Sequence, residues 1–262
     1  MENILEQIVS HKRKEVAARK EAQPLERLYA APGFDRPTCS FSDSIKNKTR
    51  SGIIAEFKRR SPSKGMLNEN ADVYDVTSGY TGYGASALSV LTDEDFFGGG
   101  DHDLRMARKN NDIPLLRKDF IIDEYQVAEA RAIGADAVLL IAAILSPRAV
   151  SRLARYAHEL QLEVLLEVHA PEELDCVDDA IDVIGVNNRN LKTFTTDLQH
   201  SIDLYPLLPP GPVKISESGI KTAADVYRLR DAGFDGFLIG SLFMQQPEPQ
   251  RVFAQFVKEI AR

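Results

Sequence analysis

The 262-residue sequence has no tryptophan, only two cysteines and four methionines, and no long apolar run. Cys39 and Cys176 lie far apart without a metal-ligand spacing, so we expect free thiols in a reducing compartment. No stretch approaches the roughly 20 apolar residues that span a bilayer. Residues 1–20 alternate apolar with charged residues and do not form a signal sequence. These absences predict a cytoplasmic protein that has no membrane partner.

Positive charge is also scarce. The chain has 32 Lys and Arg against 39 Asp and Glu, which gives a formal net charge of −7 and makes nucleic acid a poor partner. Its five histidines include no pair at the i, i+4 spacing of a helical metal site, so we expect no metal centre. An anionic ligand would require a local basic pocket within this acidic envelope.

Short apolar runs alternate along the chain with amphipathic helical stretches. The runs are nearly continuous in apolar residues, as in parallel strands that are buried on both faces. Ser146 precedes Pro147 as a helix N-cap, and Gly134 and Gly233 follow helical stretches as stop signals. The predicted strands are 52–57, 85–91, 114–117, 137–141, 163–167, 183–186, 213–216 and 236–239. The predicted helices are 3–21, 123–133, 147–160, one that opens at 170–173, 221–232 and 248–262.

Eight strands with interleaved helices are the number that closes a (β/α)8 TIM barrel. A doubly wound open sheet is the alternative, but it usually has fewer strands, and no G-x-G-x-x-G follows the first strand here. We expect residues 1–262 to form a single barrel domain. Residues 1–50 stand outside the alternation, and we expect an N-terminal helical extension that caps the barrel, although a loosely docked tail is the alternative. The apolar stripe that favours the cap comprises Ile4, Leu5, Ile8 and Val9.

Polar residues interrupt the apolar runs where strands end, which is where this fold carries its functional groups. Alternation points Glu56 and Lys58 to the same side of the first strand. Burying either charge alone is costly, so inward-facing charges should neutralise one another or face a ligand. Each such residue is, taken singly, more often a loop residue or a salt-bridge partner, but their convergence on equivalent strand ends favours an active site. The others are Lys118, Glu167, Asn187, Arg189, Glu217, Ser218, Gly219, Gly240 and Ser241.

Two strand ends predict a phosphate site. Ser218-Gly219 and Gly240-Ser241 follow the last two strands, where this fold usually binds phosphate and where glycine lets the backbone approach the ligand. The basic loop 59–65, which contains Ser61, follows the first strand and favours an anion clamp or lid. Phe97 and Phe120 follow the second and third strands, so they would either form an aromatic wall beside the charged groups or pack in the core.

Seven stretches are similar to those of a known family: 54–65 (IAEFKRRSPSKG), 91–93 (LTD), 116–121 (LRKDFI), 166–169 (LEVH), 184–191 (IGVNNRNL), 216–220 (SESGI) and 238–241 (LIGS). On these motifs the chain resembles indole-3-glycerol-phosphate synthase over essentially its full length. The first, third and fifth stretches are the most specific. One departure is the run 98–100 (GGG), which often ends in serine in the family.

The resemblance implies a carboxy-lyase of tryptophan biosynthesis that needs no cofactor and, in this chain, no fused isomerase domain. Its substrate would be the phosphorylated small molecule 1-(2-carboxyphenylamino)-1-deoxyribulose 5-phosphate, and its products indole-3-glycerol phosphate, carbon dioxide and water. It assigns Lys118 as catalytic acid and Glu167 as general base, with Glu56 and Lys58 as further catalytic residues. The implied substrate-binding residues are Ser61, Phe97, Phe120, Asn187, Arg189, Glu217, Ser218, Gly219, Gly240 and Ser241. Pro62 and Leu191 would lie near the two phenylalanines.

Two other interpretations compete with this one. Another phosphate-binding barrel enzyme, such as a sugar-phosphate isomerase or the indole-releasing subunit of tryptophan synthase, would not be expected to carry the Glu-x-Lys and Ser-Pro-Ser sequences at 56–63. A non-catalytic barrel would be expected to have lost Lys118, Glu167 or Glu56, and the chain retains all three.

Overall fold

Eight parallel strands close into a barrel in the computed structural model, which describes residues 4–190 and 193–261. The barrel strands are β1 (Ile53–Phe57), β2 (Ala87–Leu91), β3 (Leu115–Lys118), β4 (Ala137–Ile141), β5 (Glu163–Val168), β6 (Val183–Asn187), β7 (Val213–Glu217) and β8 (Gly236–Ile239). Each strand pairs with its sequence neighbours, and β8 pairs with β1 with Phe237 opposite Ile53. The predicted (β/α)8 TIM barrel is therefore confirmed, and no strand end differs from its prediction by more than two residues.

Helices precede, connect and follow the strands. They are α1 (Ile4–Ala22), α2 (Leu25–Tyr29), α3 (Phe41–Lys46), α4 (Val73–Gly82), α5 (Glu94–Phe97), α6 (Asp101–Asn110), α7 (Glu124–Ile133), α8 (Pro147–Glu159), α9 (Gln199–Leu204), α10 (Ala223–Ala232), α11 (Ser241–Met244) and α12 (Pro249–Ile260). Three 3-10 turns occupy Ala142–Ile144, Pro171–Cys176 and Tyr205–Leu207, and a short hairpin pairs Arg60–Ser61 with Gly65–Met66. No described helix is long and apolar enough to cross a membrane.

Most residues that were predicted to begin or end a helix do so in the structure. The Ser146 side chain accepts a hydrogen bond from the backbone of Ala149 at the start of α8. Gly134 and Gly233 end α7 and α10 in the left-handed conformation, with φ of 105° and 109°. The prediction was wrong at 170–173, where a six-residue 3-10 helix forms and buries only Cys176, because the segment lacks a continuous apolar stripe.

Strand alternation divides the core into two apolar layers. In β1, Ile53 and Ala55 face the outer layer beneath the helices, whereas Ile54 faces the inner layer inside the barrel. The inner layer continues through Leu116 of β3 and Leu165 of β5. Glutamates and lysines that follow these inner residues at a spacing of two therefore point into the mouth of the barrel, at the carboxyl ends of the strands.

The first 50 residues contact both ends of the barrel. Ile8 of α1 is buried in the inner layer, and Ile4 and Leu5 pack against the same layer. Ile45 of α3 belongs to this layer too, and it lies beside Gly236 at the amino-terminal end of β8. Three of the four residues of the predicted stripe thus pack on the inner layer, whereas Val9 lines a second, separate cavity. The assignment of residues 1–50 as a cap within one domain stays a prediction.

Candidate active site

The mouth of the barrel holds a cavity of about 540 Å³, a size typical of sites for small molecules. Pro62 lines this cavity, and its expected position near the two phenylalanines stays a prediction; Leu191 lies outside the described residues. The structure brings every predicted site residue to this one cavity, and their chemical roles stay predictions. These lining residues are Glu56, Lys58, Ser61, Phe97, Lys118, Phe120, Glu167, Asn187, Arg189, Glu217, Ser218, Gly219, Gly240 and Ser241.

The charged side chains form two paired groups. At the end of β1, Lys58 Nζ lies 2.5 Å from Glu56 Oε1, which confirms that the two side chains share a face. At the ends of β3, β5 and β7, Lys118 Nζ lies 2.9 Å from Glu167 Oε2 and 3.5 Å from Glu217 Oε2. Both glutamates are almost completely buried. A buried ammonium between two carboxylates meets the requirement that charges inside a protein be compensated.

The surroundings shift the pKa values of these charged groups in different directions. Burial alone would lower the pKa of Lys118, but the three nearby glutamates raise it above its ordinary value. Burial alone would raise the pKa of Glu167, but Lys118 and His169 outweigh burial and lower it to about 2. Burial raises the pKa of Glu217 to about 7, with help from the other two carboxylates and opposition from Lys118. The site therefore contains a charged ammonium, an ionised carboxylate and a carboxyl group that titrates near neutrality.

Two glycines make room for two of the glutamates. A Cβ atom on Gly185 of β6 would collide with Glu217 Oε1, and one on Gly240 would collide with Glu56 Oε1. Both separations would be far below van der Waals contact, so the carboxylates occupy space that any side chain would fill. Gly240 was predicted as a phosphate-site residue, and this packing gives it a further reason to be glycine.

Basic side chains cluster at one edge of the cavity, as an anionic ligand requires. Lys58, Lys64, Arg189 and Lys221 all line it. Desolvation, together with the charges of the three neighbouring cations, lowers the pKa of Lys64. The Arg189 guanidinium also donates a hydrogen bond to Ser63 Oγ and so connects the loops that follow β6 and β1. A phosphate group placed here would relieve the mutual repulsion of these cations.

The loops after β7 and β8 adopt backbone conformations suited to phosphate. Ser218 and Gly219 are both left-handed, with φ of 67° and 83°. A Cβ atom on Gly219 would lie 2.5 Å from Thr196 Cγ2, so glycine is required for space as well as for conformation. Gly240 precedes α11, whose first N–H groups have no partner within their own helix. Both loops line the cavity, as do Lys221 and Ser241.

Phe97 and Phe120 line the cavity as an aromatic wall and also pack with the inner layer of the core, so both of the predicted alternatives apply. The rings of Phe97 and Phe120 have centroids 5.9 Å apart and an interplanar angle of 41°. Phe97 is the last residue of α5, and the Asp93 side chain caps the start of this helix by accepting a hydrogen bond of 2.8 Å from the Phe96 backbone N–H. Leu139 and Ile141 continue the apolar surface inside the barrel. The cavity thus joins an apolar compartment to a basic one.

Several residues of the cavity were missed by sequence reasoning. Lys221 follows the predicted phosphate loop after β7, and its position at a strand end was a signal that could have identified it. Phe194 and Thr196 come from the loop after β6, which returns to the mouth through a bridge between Arg189 and Thr196. No local pattern predicts that return. Among residues 4–190 and 193–261, no group of three His, Cys, Asp or Glu side chains is arranged to hold a metal ion.

Comparison with known proteins agrees with this site. The family model described as "Indole-3-glycerol phosphate synthase" matches residues 5–256. A protein named indole-3-glycerol phosphate synthase from Bacteroides thetaiotaomicron is 50% identical over 260 residues, which cover 99% of this chain and 100% of that protein. A protein of the same name from Burkholderia multivorans is 43% identical over 260 residues, with coverage of 97% and 99%.

Solved structures resemble the chain in fold at low sequence identity. The tryptophan synthase α-subunit of Pyrococcus furiosus aligns with a TM-score of 0.61 and 14% identity, over 80% of this chain and 97% of that one. The 3-hexulose-6-phosphate synthase of Salmonella typhimurium aligns with a TM-score of 0.61 and 13% identity, over 79% and 99%. These likenesses concern the barrel alone, whereas the family match and the close relatives span nearly the whole sequence. The chain belongs to the indole-3-glycerol phosphate synthase family.

Proposed function

We propose that the chain converts 1-(2-carboxyphenylamino)-1-deoxyribulose 5-phosphate into indole-3-glycerol phosphate, carbon dioxide and water, without a cofactor. The observation that carries this proposal is the position of Lys118 between Glu167 and Glu217, in a cavity with an aromatic wall and a basic edge. The substrate has a matching layout, because it carries an aromatic ring at one end and a phosphate at the other. Its reacting ketone lies between them.

Lys118 acts as the acid in ring closure. The weakly nucleophilic ring carbon attacks the ketone, and the Lys118 ammonium donates a proton to the oxygen that becomes negative. Three glutamates keep this lysine charged, so it is protonated when the substrate arrives. Acid–base assistance of this kind typically contributes about 10²- to 10⁴-fold in rate. Placing the donor in a buried site increases its electrostatic effect.

The remaining steps use the carboxylates and the second lysine. Loss of carbon dioxide restores part of the ring conjugation, after which the new hydroxyl group leaves as water with a proton from a donor in the site. Glu167 removes the last ring proton, and its ionised state suits the role of base. Glu56 and Lys58 form the second acid–base pair across the mouth. The four groups provide one donor and one acceptor on each side of the substrate.

Binding at the two ends of the substrate orients the reacting atoms. Ser218, Gly219, Gly240 and Ser241 hold the phosphate with their backbone N–H groups, and the nearby basic side chains neutralise its charge. Ser61, Asn187 and Arg189 position the chain between phosphate and ring, while Phe97 and Phe120 flank the ring. Fixing both ends can hold the chain in a reactive bend, and such remote binding energy lowers the barrier of the chemical step.

We further propose that residues 1–50 serve as an N-terminal cap on a single barrel domain comprising 1–262, and that the protein acts in the cytoplasm. Burial of Ile8 in the inner layer and the cavity-lining positions of Ile4 and Leu5 support the cap. Fractionation of the producing cell, followed by immunodetection of the untagged chain, tests its location. Recovery in a membrane or exported fraction would contradict the cytoplasmic assignment.

The test of the reaction is an indole fluorescence assay on the purified chain with the carboxyphenylamino substrate and no added cofactor. The wild-type chain should generate the signal, and Lys118→Ala should reduce kcat by about 10²-fold or more while substrate binding survives. Ser241→Ala should be far milder, because backbone N–H groups supply much of the phosphate contact. An unchanged kcat in Lys118→Ala would rule out the acid role, and an equally large loss in Ser241→Ala would contradict the phosphate site.

A further inference from the structure

His169 lies directly beyond the end of β5, in the same register as Glu167. Glu167 points into the mouth and Val168 is buried in the outer layer, so strand alternation returns the next side chain to the inner side. The imidazole is only 12% exposed. It forms part of the sequence motif at 166–169, yet the acid–base roles proposed above leave it without a function.

The ring stands between two carboxylates. His169 Nε2 is 3.4 Å from Glu167 Oε1, and His169 Nδ1 is 3.6 Å from Glu173 Oε2. The same Glu173 oxygen accepts a hydrogen bond of 2.6 Å from the His169 backbone N–H, which anchors the residue to the 3-10 helix at Pro171–Cys176. Among the described residues, neither ring nitrogen has a hydrogen-bond partner of good geometry. The ring is therefore close to Glu167 but does not form a hydrogen bond of good geometry with it.

We propose that His169 is a positioning residue: anchored by Glu173, it holds Oε1 of Glu167 while Lys118 holds Oε2. This inference rests on the proposed function and adds to it a residue that orients the base. Hydrogen bonds of catalytic groups are often long in the free enzyme and shorten when the substrate binds. A small rotation of the Glu167 carboxylate on proton abstraction would bring Oε1 within hydrogen-bond distance of the ring.

The charges around the ring favour its protonated form. Burial alone would lower the pKa of His169, but Glu173, Glu167 and Glu217 outweigh burial and raise it. The ammonium of Lys118, bound to the other oxygen of Glu167, opposes them. An imidazolium donates from both nitrogens, so it can contact both carboxylates at once, whereas neutral imidazole can donate to only one.

Substitutions at His169 distinguish a role in positioning Glu167 from a role in packing alone. His169→Ala should lower kcat by about 10- to 100-fold with little change in KM, because the base loses its orientation while the phosphate and ring sites remain. His169→Gln should recover most of kcat, since its amide N–H can reach Glu167. His102→Gln, on the exposed surface of α6, is the matched control and should behave as the wild type. Equal losses in the alanine and glutamine variants, or a loss confined to thermal stability, would overturn the proposal.

Glu173→Gln provides a second, independent readout. Removing this carboxylate should lower the pKa of His169, which ¹H–¹³C NMR titration of the labelled imidazole measures directly. Glu173→Gln should also move to lower pH the part of the alkaline fall of kcat/KM that His169 causes. His169→Gln should remove that part, while the part that Glu217 causes persists. An unchanged alkaline limb in both variants would overturn the proposal. The wild-type assay is the reference: a wild-type chain without indole formation refutes the proposed function, whereas an active wild type with an equally active His169→Ala refutes only the role of His169.

Discussion

Three glutamates meet at the mouth of the barrel, and their surroundings give two of them very different pKa values. Glu167 has a cation on each side, from Lys118 and His169, so its pKa falls to about 2. Burial raises the pKa of Glu217 to about 7, because Lys118 alone does not offset burial and the repulsion of Glu167 and Glu56. Position within the cluster, and not residue type, therefore decides which carboxyl group carries a proton at neutral pH.

The raised pKa of Glu217 predicts a dependence of stability on pH. The unfolded chain loses this proton near pH 4.5 and the folded chain near pH 7, so the stabilising contribution is present below the lower value and is lost as pH rises through the higher one. Glu217→Gln removes this dependence. The unfolding free energy of the wild type, relative to Glu217→Gln, should therefore fall by about 3 kcal/mol between pH 4 and pH 8.

Urea titrations of both proteins across that pH range measure the difference. Glu21→Gln, at an exposed position of α1, is the control and should follow the wild type at every pH. A constant gap between the wild type and Glu217→Gln would show that Glu217 ionises in the folded chain as it does in the unfolded one.

Gly185 predicts an effect on catalysis with little effect on folding. An alanine Cβ here would collide with the end of the Glu217 side chain, which is flexible and can swing away, so the strand should survive. The displaced carboxylate would no longer face Lys118, and kcat should fall by about 10²-fold. Gly82→Ala, where a Cβ would meet no atom within 4 Å, is the matched control. Wild-type turnover in Gly185→Ala would indicate that the position of Glu217 does not matter for the reaction.

At the scale of elements, a buried lysine ties the first helix to the active-site loops. Lys12 of α1 is 1% exposed, and its Nζ lies 2.9 Å from Asp93 Oδ2 and 3.1 Å from Asp119 Oδ1. Asp93 caps the start of α5, the helix that carries Phe97, and Asp119 directly follows Lys118. One side chain thus links α1 both to the aromatic wall and to the strand that carries the proposed acid.

Lys12→Met should reveal this link. The change leaves Asp93 without its buried cation, whereas Asp119 keeps Arg117, whose Nη2 lies 3.2 Å from Asp119 Oδ2. The unfolding free energy should therefore fall by about 3 kcal/mol, the lower end for a broken buried ion pair. KM should rise more than kcat falls, because the aromatic wall loses its support before the catalytic strand does. Lys14→Met, on the exposed side of α1, should leave both quantities near the wild-type values. Denaturant titration and steady-state kinetics on the two variants provide the measurement, and equal stability in both would contradict the link.

The elements that local chemistry specifies were predictable from sequence. Ser146 with Pro147, and the glycines after α7 and α10, mark helix ends through hydrogen bonding and backbone conformation, and these signals depend only on nearby residues. The inward direction of the glutamate and lysine side chains was also predictable, because side chains alternate between the two faces of a strand. The 3-10 helix at Pro171–Cys176 could not be separated from an α-helix, because acidic residues after a proline favour the start of either. Phe194 and Thr196 reach the cavity by the path of their loop, which tertiary packing sets.

At the scale of the whole molecule, a net charge of −7 coexists with a basic edge at the mouth. The surrounding acidic surface repels an anionic substrate at long range, and the basic edge attracts it at short range. Salt shortens the range of both effects, with a Debye length of about 30 Å at 0.01 M and about 3 Å at 1 M. Four cations close to the entrance should dominate the encounter, so attraction is the larger contribution.

We therefore expect kcat/KM to fall as ionic strength increases. Lys221→Glu should raise KM by about ten-fold at low salt and flatten this dependence. Lys109→Glu changes the net charge equally at an exposed position at the end of α6 and should have little effect. Steady-state kinetics of the three proteins over a sodium chloride series make the comparison. Equal effects of the two substitutions would mean that total charge, and not the basic edge, governs substrate capture.

The pairing of β1 with β8 has a consequence for how the chain acquires its structure during translation. The strand Ile53–Phe57 leaves the ribosome long before Gly236–Ile239, its hydrogen-bonding partner. Until then the nascent sheet has two open edges, β1 and the last strand to have emerged, and every residue of β1 is buried in the finished barrel. Such edges can pair with other chains. Premature termination after β7 should therefore yield an aggregating product that requires chaperone binding, and not a partly active enzyme.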